Sequence, residues 1–318
     1  MAPGEQHQRV ALAPSERIFA ALVVVILLGT SLPFLNQALH IDDQVFLMGA
    51  DIVARTPLRP HAATVDLFGD QIPWLRANQH PPGLPYYLAA VRGISGASEA
   101  ALHLWMLPFL ALLLLSTWML ARELSVHAGW ATLAVACAAP VVVSSHTLMT
   151  DVPLAALFYA SLWALVRAFR TRRWGWILAA VLLCAATWFM QYRGFLLVLV
   201  GPALLLALRG GEDPPRRPWL VPALVLGSVP LLFVAWCGWN LWEMGKLHFF
   251  DASGMIDYGV ERLALSTTAM LAYAGGTVGP LALVALWTLR RRPRALIALT
   301  GISAVAAAVL PMLMPHHT

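Results

Sequence analysis

Four side chains stand out as able to do chemistry: Asp42 and Asp43 in "HIDDQVFLMGADIVART", His80 in "NQHPPGLPYYLAAVRGISG", and Asp151 in "HTLMTDVPLAALFYASLWALV". A carboxylate can take a proton from a hydroxyl, ligate a hard cation, or cap the free N–H groups that open a helix. Asp151 poses the question most sharply, because long apolar runs flank it on both sides. A charge in such surroundings is costly unless it sits at a water interface or is paired.

The elements that must position these groups are membrane helices. The chain has 318 residues, 59% of them hydrophobic and only 12% charged, with a mean hydropathy of +0.71; a soluble domain carries about 25% charged residues. A helix needs about 20 apolar residues to cross the hydrocarbon core. Runs of that kind lie near 17–36, 100–121, 128–146, 153–170, 174–190, 195–209, 219–239, 264–289 and 295–314. The expected fold is therefore all-α and polytopic, with about nine transmembrane helices. Residues 1–16 form a cytoplasmic segment and 17–318 a single transmembrane domain, whose first run reads as a retained signal anchor. "RGGEDPPRRPW" reads as a polar hairpin between spans. Cys137, Cys184 and Cys237 fall inside apolar runs without metal-ligand spacing, so they read as small buried thiols.

The net charge of +5 does not indicate nucleic acid, because the basic residues sit in short loops between spans. With the N-terminus inside, alternate counting places Arg9, Arg17, Arg122, "RAFRTRR", Arg209, Arg216, Arg217 and "RRRPR" on the cytoplasmic side. That is the positive-inside pattern. Most acids fall outside, including Glu243 and, with Arg262, the loop acids Asp251, Asp257 and Glu261. The last loop reads as solvated, and His316 and His317 as an exposed tail.

Residues 37–99 form one long outer loop, a length that in compact proteins is usually functional or disordered. Its pattern is ordered. "DDQVFLMGADIVART" has Val45, Met48 and Ile52 at helical spacing behind a carboxylate pair, and "HPPGLPYYLAAVRGISG" opens on a proline corner into a short amphipathic helix. Both read as helices lying on the bilayer, joined by a turn region around "FGDQIPWLRANQH". Asp42, Asp43, His80 and Asp151 then converge on one membrane–water interface. Capping remains an alternative for each carboxylate, and bracing of the proline corner for His80.

The order of "HIDDQVFLMGADIVART", "NQHPPGLPYYLAAVRGISGASEAALHLW", "LMTDVPLAALFYA" and "QYRGFLLVLVGPALLL" resembles the GT-C membrane glycosyltransferases, in the branch of ArnT-like, RgtA-like and protein O-mannosyltransferase enzymes. The resemblance runs from about residue 17 to 209. It implies an active site facing the periplasm at the inner membrane, which moves a sugar from a polyprenyl-phosphate donor to a lipid, glycan or protein acceptor, with inversion. It further implies that the first-loop acid is the base: Asp43 in the better register, with Asp42 the alternative, since Gln44 stands where relatives carry Glu. Asp151 matches the acid of the second outer loop, Arg193 the basic position of the "RG" motif, and His80 the polar position before the prolines. Arg193 and His80 would then receive the donor phosphate, because a guanidinium matches phosphate oxygens bidentately. Asp151 would orient the acceptor or the loop, or share a Mg²⁺ or Mn²⁺ ion with Asp43.

Two other classes compete. A lipid-linked saccharide transporter or flippase places ionisable residues at mid-depth, where these spans carry almost none. A non-catalytic membrane scaffold leaves the patterned first loop without a task.

Overall fold

The computed structural model describes residues 14–248, apart from 62, 68, 79, 125 and 209–219. The expected spans at 264–289 and 295–314, the hairpin "RGGEDPPRRPW", the acids Asp251, Asp257 and Glu261 with Arg262, and His316 and His317 lie outside the described residues.

The described chain is a helical bundle with a folded first loop. Helix α1 (Pro14–Ser31) runs into a 3-10 turn at Leu32–Phe34. The loop then carries α2 (Asp43–Arg55), strands β1 (Thr64–Leu67) and β2 (Asp70–Pro73), the single turn α3 (Trp74–Ala77) and α4 (Gly83–Ser95). The bundle continues with α5 (Glu99–Glu123), α6 (Ala128–Ala136), α7 (Ala139–Ser144), α8 (Asp151–Thr171), α9 (Trp174–Met190), α10 (Leu197–Leu208) and α11 (Leu220–Met244). Among the described residues, four helical segments are long and apolar enough to cross a membrane: Glu16–Phe34, α5, α8 and α11. Large apolar side chains such as Val25 on α1, Leu178 and Leu182 on α9, and Leu231 and Val234 on α11 are more than half exposed. Lipid tails are as apolar as these side chains, so the outward-facing belt suits a multi-pass membrane protein.

Three expectations change. The span read at 128–146 is broken in two, because Ala138 is extended (ψ 126°) and Pro140 opens α7; proline restricts the residues before it and lacks the N–H that would continue the helix. The run at 195–209 shortens to the 12 residues of α10, which at 1.5 Å per residue span only about 18 Å. The third change lies in the first loop, while the fold stays mostly helical as expected. The turn region of the first loop forms an antiparallel hairpin, with Val65 opposite Ile72 and Asp66 opposite Gln71, its bend at Gly69 in the left-handed region (φ 91°).

The direction of each helix follows from its ion pairs and hydrogen bonds. Glu123 at the end of α5 holds Arg167 (3.1 Å) and Arg170 near the end of α8, so these helices run parallel and α6–α7 returns between them. The chain turns at Arg172 (φ 56°) and α9 runs back beside α8. At the far end, Gln191 after α9 donates to Thr150 before α8 (3.0 Å), and Glu243 near the end of α11 accepts from His61 of the first loop (2.7 Å). One end of the bundle therefore carries the first loop and the starts or ends of α8, α9 and α11. The other carries Arg122, Arg167, Arg170, Arg172 and Arg173.

The first loop is packed as a layer rather than laid out as separate surface helices. In α2 the buried stripe is Phe46, Gly49, Ala50, Ile52 and Val53. It is rotated from the expected Val45–Met48–Ile52 line because Trp74 sits directly on Gly49, where a Cβ would stand 2.3 Å from the indole ring. α2 and α4 are joined by Asp51 and Arg92 (2.7 Å). α4 in turn packs on the end of α9, where Gly83 lies so close that a Cβ there would approach the Phe189 carbonyl to 2.4 Å.

Candidate active site

The adjacent aspartates part company at the start of α2. Asp43 is fully buried, and its Oδ2 accepts the backbone N–H of His40 (2.8 Å). Its Oδ1 accepts the backbone N–H of Leu148 (2.8 Å), in the loop just before α8. This one carboxylate therefore joins the first outer loop to the second. Asp42 faces outward with a side chain 56% exposed, 3.7 Å from His40 Nδ1; although it occupies the N-cap position, its side chain makes no cap bond.

Burial pushes the Asp43 carboxyl above its ordinary value of 3.8, while the N–H groups of His40 and Leu148, then the charges of His40 and His103, pull the other way. A base must be ionised, so its activity is lost as pH falls through the raised value. Stability runs oppositely: burial disfavours the charged form of the native state, so this group's contribution is full below 3.8 and declines as pH rises through the folded value. The expected acid limb of activity lies above pH 3.8 and disappears with the Asp43 carboxylate. A rate profile flat down to that value contradicts Asp43 as the base.

Asp151 opens α8 with a side chain 43% exposed, and Arg193 Nη1 stands 3.9 Å from its Oδ1. Arg193 belongs to a 3-10 turn, Tyr192–Leu196, that folds back so tightly that a Cβ on Gly194 would lie 2.7 Å from the Trp188 backbone. Only glycine fits there, and it fixes where the guanidinium emerges. His80 lies over Phe46, ring planes 5° apart and centroids 6.2 Å apart. Its backbone N–H is accepted by Asn78 Oδ1 (3.2 Å) and its carbonyl receives Asn78 Nδ2 (3.0 Å). Of the groups expected to converge, Asp42, Asp43, His80 and Asp151 lie at one end of the bundle, Asp42 facing away from the others, and Arg193 joins them there. Asp43 reaches the loop of Asp151, Arg193 faces Asp151, and His80 stacks on the residue one helical turn after Asp43.

Several neighbours escaped the sequence reading. Gln191 and Thr150 flank Arg193 and Asp151 and bind each other in the interior. His61 and Glu243 form a fully buried pair, with Nδ1 3.2 Å from Oε2. His248 lies between Tyr192 and Asn78. His103, buried on α5, meets the Leu35 carbonyl through Nδ1 (3.0 Å). Thr150, Gln191 and Tyr192 sit inside the quoted motifs and could have been flagged there. His61 and His248 gave no signal in spacing.

Of the candidate metal ligands, Asp43 accepts two backbone N–H groups and Asp151 lies 3.9 Å from the Arg193 guanidinium. Among the described residues, no group of three His, Cys, Asp or Glu could hold an ion.

The bundle of apolar helices thus brings the buried carboxylate of the first loop, Asp43, and the Arg193 turn after α9 to one end. Residues 79–242 match the dolichyl-phosphate-mannose-protein mannosyltransferase family, and the chain belongs to that family, whose members are glycosyltransferases using polyprenyl-phosphate sugars. The match takes in His80, Asp151 and Arg193, while Asp42 and Asp43 precede it. Comparison with curated proteins gives no match.

Proposed function

We propose that this protein transfers a sugar from a polyprenyl-phosphate donor to a hydroxyl of a lipid, glycan or protein acceptor on the outer face of the cytoplasmic membrane. Asp43 takes the acceptor proton as the hydroxyl oxygen attacks the anomeric carbon. The bond from that carbon to the phosphate oxygen breaks, and the polyprenyl phosphate leaves with its charge held by Arg193, assisted by His80. Electrostatic stabilisation of the developing phosphate charge is the larger demand, and a lipid phosphate leaves without a strong general acid. Asp151 keeps Arg193 aimed between turnovers.

The observation that carries this reading is the juxtaposition made by Asp43 with Leu148 and Arg193 with Asp151, in a chain of this family. Leu148 is itself fully buried, so the acceptor reaches Asp43 by displacing the loop before α8. The exposure of Asp42 favours a second reading, in which that residue is the base. The arginines collected at the opposite end of the bundle support the outer-face reading, since basic residues favour the cytoplasmic side.

Arg193 supplies the test of the donor half. Hydrogen bonds to charged groups are worth roughly 1.5–3 kcal/mol. Arg193→Ala is expected to raise KM for the polyprenyl-phosphate sugar about 10-fold to 100-fold, with Arg193→Lys intermediate because it keeps charge without the fork. Kinetics within about twofold of wild type, against RT ln 2 of only ~0.4 kcal/mol, would remove Arg193 from the site.

A further inference from the structure

The two proposed phosphate-binding residues lie on different parts of the chain, and one side chain bridges their neighbours. His248, fully buried just beyond α11, has Nε2 3.0 Å from the Asn78 carbonyl, while its Nδ1 meets the Tyr192 hydroxyl. A carbonyl can only accept, so Nε2 carries the proton and Nδ1 is the acceptor for Tyr192 O–H. Trp236 Nε1, a donor only, completes the chain by donating to the Tyr192 oxygen (3.3 Å). The direction of every bond is thereby fixed: Trp236 to Tyr192, Tyr192 to His248, His248 to Asn78.

Both partners of His248 lead to the donor site. Asn78 holds both the N–H and the carbonyl of His80, and Tyr192 immediately precedes Arg193. The relay needs a neutral ring, and the surroundings supply one. Burial first, then His61, lower the pKa of His248 to about 3, with His80 and Lys246 acting the same way and the Asn78 bond opposing. The ring of His61 stands 4.7 Å away, centroid to centroid, and is itself paired with Glu243.

We propose that His248 is a positioning residue for the donor phosphate, holding the His80 segment and the Arg193 turn in register through Asn78 and Tyr192. It touches no reacting atom. The inference rests on the assignment of Arg193 and His80 to the donor phosphate, and the experiment separates the two.

The test is binding of undecaprenyl phosphate to the full chain in detergent, followed by tryptophan fluorescence. His248→Phe keeps the ring volume and removes both bonds, stranding the Tyr192 hydroxyl and the Asn78 carbonyl. It is expected to weaken binding about tenfold, the equivalent of ~1.4 kcal/mol. His248→Gln can accept from Tyr192 and donate to Asn78, and is expected to stay within about threefold of wild type. This rescue by a residue of different shape is what a role in packing alone would not give. If His248→Phe does not yield folded protein, Tyr192→Phe decides, with binding expected about threefold weaker from loss of one neutral hydrogen bond. Unchanged binding in His248→Phe or Tyr192→Phe, with Arg193→Ala clearly weakened, overturns the inference and leaves the donor site intact. Unchanged binding in Arg193→Ala as well overturns the donor site and the inference with it.

Discussion

Asp43→Asn is expected to lower sugar transfer by roughly 10²–10⁴-fold, the usual worth of a positioned general base. Asp42→Asn should stay within about threefold, as surface changes away from a site usually do. The asymmetry comes from the start of α2, where one aspartate is fully buried and the other is 56% exposed. Both Asp43 oxygens accept backbone N–H groups. An asparagine offers one acceptor and turns an NH₂ group toward the remaining donor, leaving it unsatisfied at a cost of about 1–3 kcal/mol. Stability must therefore be followed alongside rate. A melting temperature lowered with activity intact would make Asp43 a clasp between loops rather than a base. Loss of activity in Asp42→Asn, with Asp43→Asn retaining it, would move the base one residue back.

Glu243→Leu carries the largest expected effect on the fold. Glu243 and His61 both have fully buried side chains, and the carboxylate accepts the His61 backbone N–H at 2.7 Å as well as meeting its ring nitrogen. Removing one partner of a buried pair costs about 3–5 kcal/mol, because the other is left without compensation. The pair ties the middle of the first loop to the end of α11, so the loss should be felt as release of the loop. Protease cleavage within 37–99 should accelerate in the variant while the bundle stays resistant. The double variant His61→Leu with Glu243→Leu should recover part of the loss, since it removes the stranded ring along with the charge. Cleavage at the wild-type rate in the single variant would mean that the hairpin and α2–α4 hold the loop unaided.

Much of this arrangement was legible before the structure. Counting apolar runs and alternating their direction placed Asp42, Asp43, His80 and Asp151 on one side, the family resemblance added Arg193, and the hydrogen bond from Leu148 to Asp43 joins the two loops as the count requires. The break at Ala138 could have been read from Pro140. Family register favoured Asp43 over Asp42, but the burial of one and the exposure of the other could not be read from spacing. Consecutive residues of a helix are about 100° apart around the axis, so one of the pair had to turn away, and only the partner loop decides which. The hairpin at Thr64–Pro73 has short strands, one of which ends in proline, so its pattern was too weak to compete with a turn reading. The ties of His61 to Glu243 and of His248 to Asn78 join residues far apart in sequence, and periodicity carries no information about such pairs.

The most direct measurement uses the purified chain in liposomes containing labelled polyprenyl-phosphate sugars and an extract of acceptor lipids. The predicted result is consumption of one donor with release of polyprenyl phosphate and label appearing on an acceptor, in wild type but not in Asp43→Asn. Intact donor crossing the bilayer without loss of its sugar would contradict the account and make the protein a transporter.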